Sequence, residues 1–303
     1  MKGVSHALYP FESHVLDRDG LAYHYLDEGS GDLVLMLHGN PSWSFYYRDL
    51  VKALRPDHRC VVPDHIGMGM SDKPGDDRYR YVLESRIDDV ERLVDSLTLD
   101  RKLTLVLHDW GGMIGMGYAV RHPERIGRIV LLNTAAFHLP SELRVPLALR
   151  MVRDSGLGAL GVRGMNVFAR GAVSVGCKRT GMSAEIRAGY LAPYDTWKNR
   201  IATLRFVQDI PLSPSDPSYA LVSQIEAGLE KFTNTPVLIC WGERDFVFTS
   251  AVLDHWIRRW PHAEVHRFAD CGHYVLEDAG PEIAAHVRRF LEQHPLAPLS
   301  PLP

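Results

Sequence analysis

Nowhere in these 303 residues does a window of about eighteen uncharged apolar side chains occur, which is what a helix needs to cross a bilayer. No membrane span is expected. Cysteine is scarce as well: Cys60, Cys177, Cys240 and Cys271 lie far apart, and Cys60 and Cys240 sit in apolar runs that read as buried strands. That spacing excludes a disulfide framework, and reduced thiols in a cytoplasmic protein are expected. A surplus of one charge is missing too. The 34 Lys plus Arg against 37 Asp plus Glu leave a formal charge of −3, too little to draw the whole chain toward phosphate backbones or anionic lipid. Nucleic acid is not expected as a partner. No apolar stretch that could serve as a secretion signal follows Met1-Lys2-Gly3-Val4-Ser5-His6, so export is not expected.

What is present is an ordinary globular balance, 46% apolar and 23% charged, enough to bury a sizeable core. The length suits one α/β core carrying an insertion. Leu21–Leu26 and Leu33–Leu37 read as strands, the second apolar on both faces like a central parallel strand. Cys60–Val62, Leu103–Leu107, Ile129–Leu132 and Val237–Trp241 continue the series. Between them, Leu83, Ile87, Val90, Val94 and Leu97 recur at helical spacing, with Asp88, Asp89, Glu91 and Arg92 mostly on the other side. Alternating strand and helix predict a mostly parallel sheet covered by helices on both faces, with function gathered at the strands' carboxyl ends.

The alternation stops near Phe137 and returns near Val237. Residues 1–136 and 233–293 are therefore read as two parts of one core, 137–232 as a helical cap, and the proline-rich 294–303 as a disordered tail. Helices are expected from about Ala251 to Trp260 and Glu282 to Gln293, with a strand at Val265–Phe268 between them.

Three strand ends carry the chemistry. Leu103–Leu107 runs into His108-Asp109-Trp110-Gly111-Gly112 and then a helical stretch, the context of a sharp turn that pushes one nucleophilic side chain into a site. Here that side chain is Asp109. A carboxylate is already an anion at neutral pH and needs no base before it attacks, so it suits displacement at saturated carbon or opening of a strained ring. An aspartate there could equally cap the helix. The small residue usual two positions earlier is replaced by Leu107.

Asp245 follows the strand Val237–Trp241, and His273 follows the last strand, giving the order nucleophile, acid, histidine. Such a histidine, oriented by a buried acid, would activate water. Asn40 lies just past His38-Gly39, where a second oxyanion-hole amide belongs beside the backbone N–H of Trp110. The Asn40 amide and Trp110 indole could also grip a departing anion, although each alone could be a turn residue or a core aromatic.

Other patterns are weaker. Gly112, Gly115 and Gly117 are in the wrong order for a dinucleotide loop and fit a helix packed closely on the sheet. His262 and His266 straddle a strand with no Glu where zinc chemistry would need it, so no metal site is expected. Phe168, Tyr190, Tyr194 and Trp197 are candidates for pocket lining or cap core.

The runs His38-Gly39-Asn40-Pro41, Asp64 to Pro74 and His108-Asp109-Trp110-Gly111-Gly112 resemble the haloalkane dehalogenases, members of the α/β-hydrolase fold, over nearly the whole chain. In that family the acid follows the sixth or the seventh core strand. Asn133-Thr134 offers no carboxylate, which leaves Asp245. The set resembles the third subfamily, with an Asp, His, Asp triad and an Asn, Trp halide pair. That subfamily also holds the β-lactone decarboxylases of bacterial long-chain olefin synthesis. Asn133 to Phe137 and Ala192 to Ile201 are similar to those enzymes.

The resemblance implies a dehalogenase-type hydrolase first. Asp109 displaces halide, Asn40 and Trp110 hold it, and His273 with Asp245 activates water to cleave the alkyl ester, with no cofactor. A β-lactone decarboxylase is the close alternative. An epoxide hydrolase using Tyr190 and Tyr194 comes third, and a noncatalytic binding protein of the same fold comes last. The expected partner is a small apolar substrate, and the sequence leaves room for a homo-oligomer.

Overall fold

The computed structural model describes residues 4–139 and 145–299. Eight strands form one sheet: β1 His14–Asp17, β2 Ala22–Glu28, β3 Leu33–Leu37, β4 Arg59–Pro63, β5 Leu103–Asp109, β6 Ile126–Thr134, β7 Val237–Gly242 and β8 Glu264–Phe268. Their spatial order is β1-β2-β4-β3-β5-β6-β7-β8. The β1–β2 and β2–β4 pairs are antiparallel, and every pair from β4 through β8 is parallel. This is the expected mostly parallel sheet.

The central strands are buried along their whole length because both faces are covered. Leu35, Leu37, Leu105, Leu107 and Leu131 face one way, toward α2 Leu83–Ser96 and α3 Trp110–Arg121, while Val34, Met36, Val106, Val130 and Leu132 face the other. That second face is covered by α1 Arg48–Leu54 and α11 Val275–Gln293, which pack on each other. Successive side chains of a strand point to opposite faces, so an unbroken apolar run is the signature of two covered faces.

Leu107 is accommodated by a loss elsewhere: a Cβ at Gly115 of α3 would stand 2.3 Å from the Leu107 side chain. The bulk normally absent from the strand is absent from the helix instead.

Between β6 and β7 no strand occurs among the described residues. The chain forms α4 Leu147–Asp154, α5 Gly156–Met165, α6 Val167–Val175, α7 Ala184–Leu191, α8 Ile201–Gln208 and α9 Tyr219–Gly228. Residues 140–144 of the expected cap lie outside the described residues. After β7 come α10 Ser250–Arg259, β8 and α11.

Two expectations need correction. Helix α11 starts at Val275, seven residues before the expected Glu282, and is broken at Ala279, φ −135°, just ahead of Pro281. Proline bars helical geometry from the residues before it, which hid the first turn. The tail is not loose over 294–299: Leu296 is buried, the Lys102 N–H donates to the Ala297 carbonyl at 3.1 Å, and the buried Arg128 donates to the His294 carbonyl at 2.9 Å. An unsatisfied guanidinium recruits the chain there. Residues 300–303 lie outside the described residues.

Candidate active site

At the carboxyl end of β5 the backbone reverses within one residue. Asp109 has φ 51° and ψ −124°, a conformation non-glycine residues rarely adopt and one that must be held by its surroundings. The surroundings do hold it. The β5–β6 register shifts so that Asp109 pairs with Thr134; the Thr134 hydroxyl donates to the Asp109 carbonyl at 2.5 Å, and the Trp256 indole donates to the Thr134 carbonyl at 2.8 Å.

The two carboxylate oxygens of Asp109 see different partners. Oδ1 accepts the Asn40 backbone N–H at 2.6 Å, and Oδ2 stands 3.8 Å from His273 Nε2. Close approach of the Asn40 loop requires Gly39, because a Cβ there would fall 1.9 Å from Asp109 Oδ1. Burial pushes the Asp109 carboxyl above its ordinary range, with His273 and the backbone N–H groups of Asn40 and Trp110 pulling back and Asp245 adding to the push.

His273 Nδ1 donates to Asp245 Oδ2 at 2.8 Å. Burial alone would lower the imidazole's pKa, but the neighbouring Asp245 and Asp109 carboxylates outweigh it and raise it above the ordinary histidine value. Asp245 is itself fixed by the Asn133 amide at 3.1 Å on Oδ2 and by the Val247 and Phe248 N–H groups at 2.7 and 3.2 Å on Oδ1. Asn133 also exchanges hydrogen bonds with both backbone groups of Gly242, at 2.8 and 3.0 Å. It therefore ties β6 to the end of β7. His108 donates to the His273 carbonyl at 2.9 Å, fixing the other side of that loop.

The loop carrying Asn40 rests on a buried ion. Asp64 accepts from Ser44 N–H at 2.7 Å, Met70 N–H at 2.8 Å and His24 Nδ1 at 2.9 Å. Burial works against its ionisation, yet His24 and these donors hold the carboxyl down to about 2. Next to it His38 stays neutral, donating to the Gly39 carbonyl at 2.8 Å and accepting from the His65 N–H at 3.2 Å.

Above Asp109 lies a cavity of about 730 Å³, whose lining includes Asn40, Trp110 and His273 together with Met113, Phe137, Leu149, Phe168, Ala172, Val207, Leu212 and Phe248. The wall is mainly apolar, and its carboxylate, imidazole and guanidinium groups belong to Asp109, His138, Arg150 and His273. The Asn40 side-chain amide donates to the Thr203 carbonyl of α8 at 3.0 Å, which uses one of its two N–H bonds. The Trp110 indole N–H has no protein acceptor among the described residues.

A family model described as the alpha/beta hydrolase fold matches residues 32–280. The chain belongs to that family. It is 58% identical, over 94% of its length and 90% of the relative's, to the cis-3-alkyl-4-alkyloxetan-2-one decarboxylase of Shewanella oneidensis. Haloalkane dehalogenase 2 of Mycobacterium bovis is 32% identical, over 92% of this chain and 95% of that one. The solved haloalkane dehalogenase DatA of Agrobacterium tumefaciens superposes with a TM-score of 0.84 at 26% identity, covering 96% of this chain and 100% of that one. The resemblance to dehalogenases holds, and the decarboxylase similarity is much the stronger.

In this α/β hydrolase all five singled-out residues come together: Asn40, Asp109, Trp110 and His273 line the cavity, and Asp245 stands behind them on His273 Nδ1. The tyrosine pair does not join them. The Tyr190 hydroxyl donates to Glu277 at 2.6 Å and that of Tyr194 to the Ser42 carbonyl at 3.2 Å, and neither ring lines the cavity. Of the other aromatics, Phe168 lines it and Trp197 is exposed under Arg163. His262 bonds the Thr235 carbonyl at 2.9 Å, while His266 stacks on His286 with ring centroids 3.6 Å apart, away from the cavity. Sequence reasoning missed Asn133 and Thr134 as supports and Asp64 as the anchor of the Asn40 loop. Asn133, at φ 39°, is the penultimate residue of the buried strand β6; a polar residue in so apolar a run was the available signal. No helix among the described residues is long and apolar enough to cross a membrane, and all four cysteines are unpaired.

Proposed function

We propose that this α/β hydrolase is a β-lactone decarboxylase that converts a cis-dialkyl β-lactone into a cis-alkene and carbon dioxide. The reading is carried by the Asp109 carboxylate, one oxygen bound to the Asn40 N–H and the other turned toward His273 and an apolar cavity, in a chain 58% identical to a decarboxylase and 32% to a dehalogenase. The order of the two activities inferred from the sequence is thereby reversed.

In this reading Asp109 Oδ2 attacks the alkyl-bearing ring carbon that is bonded to the ring oxygen. The ring C–O bond breaks with relief of strain, an ester forms to Asp109, and the ring oxygen becomes part of a free carboxylate. That carboxylate then leaves as carbon dioxide. Its C–C electron pair forms the alkene, the ester C–O bond breaks, and Asp109 recovers its pair. Inversion in the first step and anti elimination in the second retain the cis arrangement. No water is consumed. His273, in the cationic form that the neighbouring Asp245 and Asp109 favour, stabilises the carboxylates that form and depart, and the N–H groups of Asn40 and Trp110 serve the same charge.

Dehalogenation is the second reading, favoured by Trp110, which lines the cavity and whose indole N–H has no protein acceptor among the described residues. It differs in needing a neutral His273 to drive water onto the Asp109 ester. Two measurements separate them. In water enriched in heavy oxygen, decarboxylation leaves Asp109 unlabelled after single turnover, whereas hydrolysis puts solvent oxygen into it. Both reactions weaken in acid as Asp109 protonates, at a pH above the ordinary carboxylate value. Toward alkaline pH, decarboxylation falls through the raised pKa of His273, while hydrolysis climbs through it. Bromide release from bromoalkanes, without alkene from a cis-β-lactone, would overturn the proposal.

A further inference from the structure

The cavity opens through a layer whose outer side is built like a surface for lipid. Helices α4, α5 and α6 pack consecutively, and large apolar side chains stand outward from them: Leu147 is 71% exposed, Leu157 82% and Met165 65%, with Met151 and Leu160 also in solvent. Around α5 and the start of α6 part of this group is contiguous. A Cβ at Gly164 would lie 3.7 Å from both Leu160 and the exposed Trp197, and one at Gly161 would lie 3.4 Å from Val167. Soluble proteins scatter such residues singly; a contiguous group marks something that covers it.

Charge indicates what does. Between residues 145 and 178 the chain carries five basic residues, Arg150, Arg153, Arg163, Arg170 and Lys178, and one acid, Asp154. Arg153 holds that acid at 2.5 Å and also reaches Asp216 at 2.6 Å. The side chains of the remaining four make no ion pair among the described residues; Arg163 and Arg170 stand clear of the cavity, Arg150 also lines it, and Lys178 follows α6, where its backbone N–H donates to Asp278 at 2.8 Å. The net charge of −3 gives the whole molecule no attraction to an anionic surface, but this layer is locally cationic and apolar together, the combination that seats helices at a headgroup boundary.

The layer is also the rim of the cavity. Val167 and Val175 of α6 line the cavity and are themselves exposed, as are Leu212 and Phe246 in the segments after α8 and β7, which gives an apolar molecule leaving a bilayer at α6 an apolar way in. We propose that α4, α5 and α6 form a docking surface for anionic lipid, through which the hydrolase takes an apolar substrate from the membrane phase. The delivery role rests on the decarboxylase reading above; the docking itself does not.

The test is flotation of the full-length protein with vesicles of phosphatidylglycerol and phosphatidylcholine, compared with phosphatidylcholine alone, at low and high salt. Wild type is expected to float with the anionic vesicles at low salt and to be released by high salt. The double variants Leu157→Gln/Leu160→Gln and Arg163→Gln/Arg170→Gln lie outside the cavity lining. Each is expected to weaken vesicle binding roughly tenfold and to turn over a short, water-soluble substrate at the wild-type rate. Absence of flotation by wild type, or binding unchanged in both variants, overturns the proposal. So does a patch occupied by protein: a wild-type dimer that dissociates in the leucine variant, without vesicle binding, would assign this face to a second copy. Because flotation needs no turnover, its failure is distinct from failure of the decarboxylase reading.

Discussion

On the floor of the cavity the polar groups are tied down, whereas on its roof large apolar side chains stand in water. Asp245 alone receives four hydrogen bonds, from His273, Asn133, Val247 and Phe248, and the turn at Asp109 is braced by Thr134 and Trp256. In α4 and α5, by contrast, Leu147, Met151, Leu157 and Leu160 are all exposed. In the proposed function the difference separates two tasks. Chemistry needs groups held to a fraction of an ångström, which strand ends supply; admitting an apolar substrate needs a surface that can part and a wall that can vary. The cap is joined to the core by polar ties that include Asn40 to the Thr203 carbonyl and the buried pair of Arg86 with Asp209 at 2.7 Å.

The sharpest way to break the comparison is on the floor. Asp109→Asn preserves shape but removes the proposed nucleophile, and turnover is expected to fall by at least about a thousandfold with the circular dichroism spectrum unchanged. Substantial activity in that folded variant would mean that the braced turn serves structure and not chemistry. The next largest effect lies at the join. Arg86→Met leaves Asp209 buried without its cation, beneath a Phe206 ring whose centroid lies 3.8 Å from the Arg86 guanidinium carbon. Loss of a partner in such a pair costs about 3 to 5 kcal/mol, read as a fall in Tm of roughly 5 to 10 °C. An unchanged melting curve would show that roof and floor are not coupled through this pair. The smallest effect belongs to the roof. Phe168→Ala widens the cavity without touching Asp109 or His273 and is expected to shift KM between short and long alkyl substrates by roughly three- to tenfold, at about 0.8 kcal/mol per methylene contact, with kcat for the shortest nearly constant. A large kcat loss would place α6 in the chemistry as well.

Much of the floor was legible residue by residue. Leu33–Leu37 was read with its observed ends, and the helix expected from Leu83 runs from Leu83 to Ser96, because each pattern is written by neighbours a few positions apart. Asp109, Asp245 and His273 could be picked out since each lies at or just after the carboxyl end of a readable strand. The short edge strand His14–Asp17, with alternating half-buried and exposed residues, and the two-turn helix Arg48–Leu54 were not read, being too short for periodicity to stand out.

What the sequence determined by itself is therefore the order of elements and the residue types at their ends, since a face's burial repeats along the chain at a period of 2 or 3.6. Only the tertiary structure decided who supports whom. Asn133 meets Asp245 across 112 positions and His108 meets His273 across 165, while Tyr190 and Tyr194 turn from the cavity to Glu277 and Ser42. Such partners carry no local repeat. Their meeting is set by how the whole sheet closes around its helices, and a buried polar group takes whichever partner that closure brings within about 3 Å.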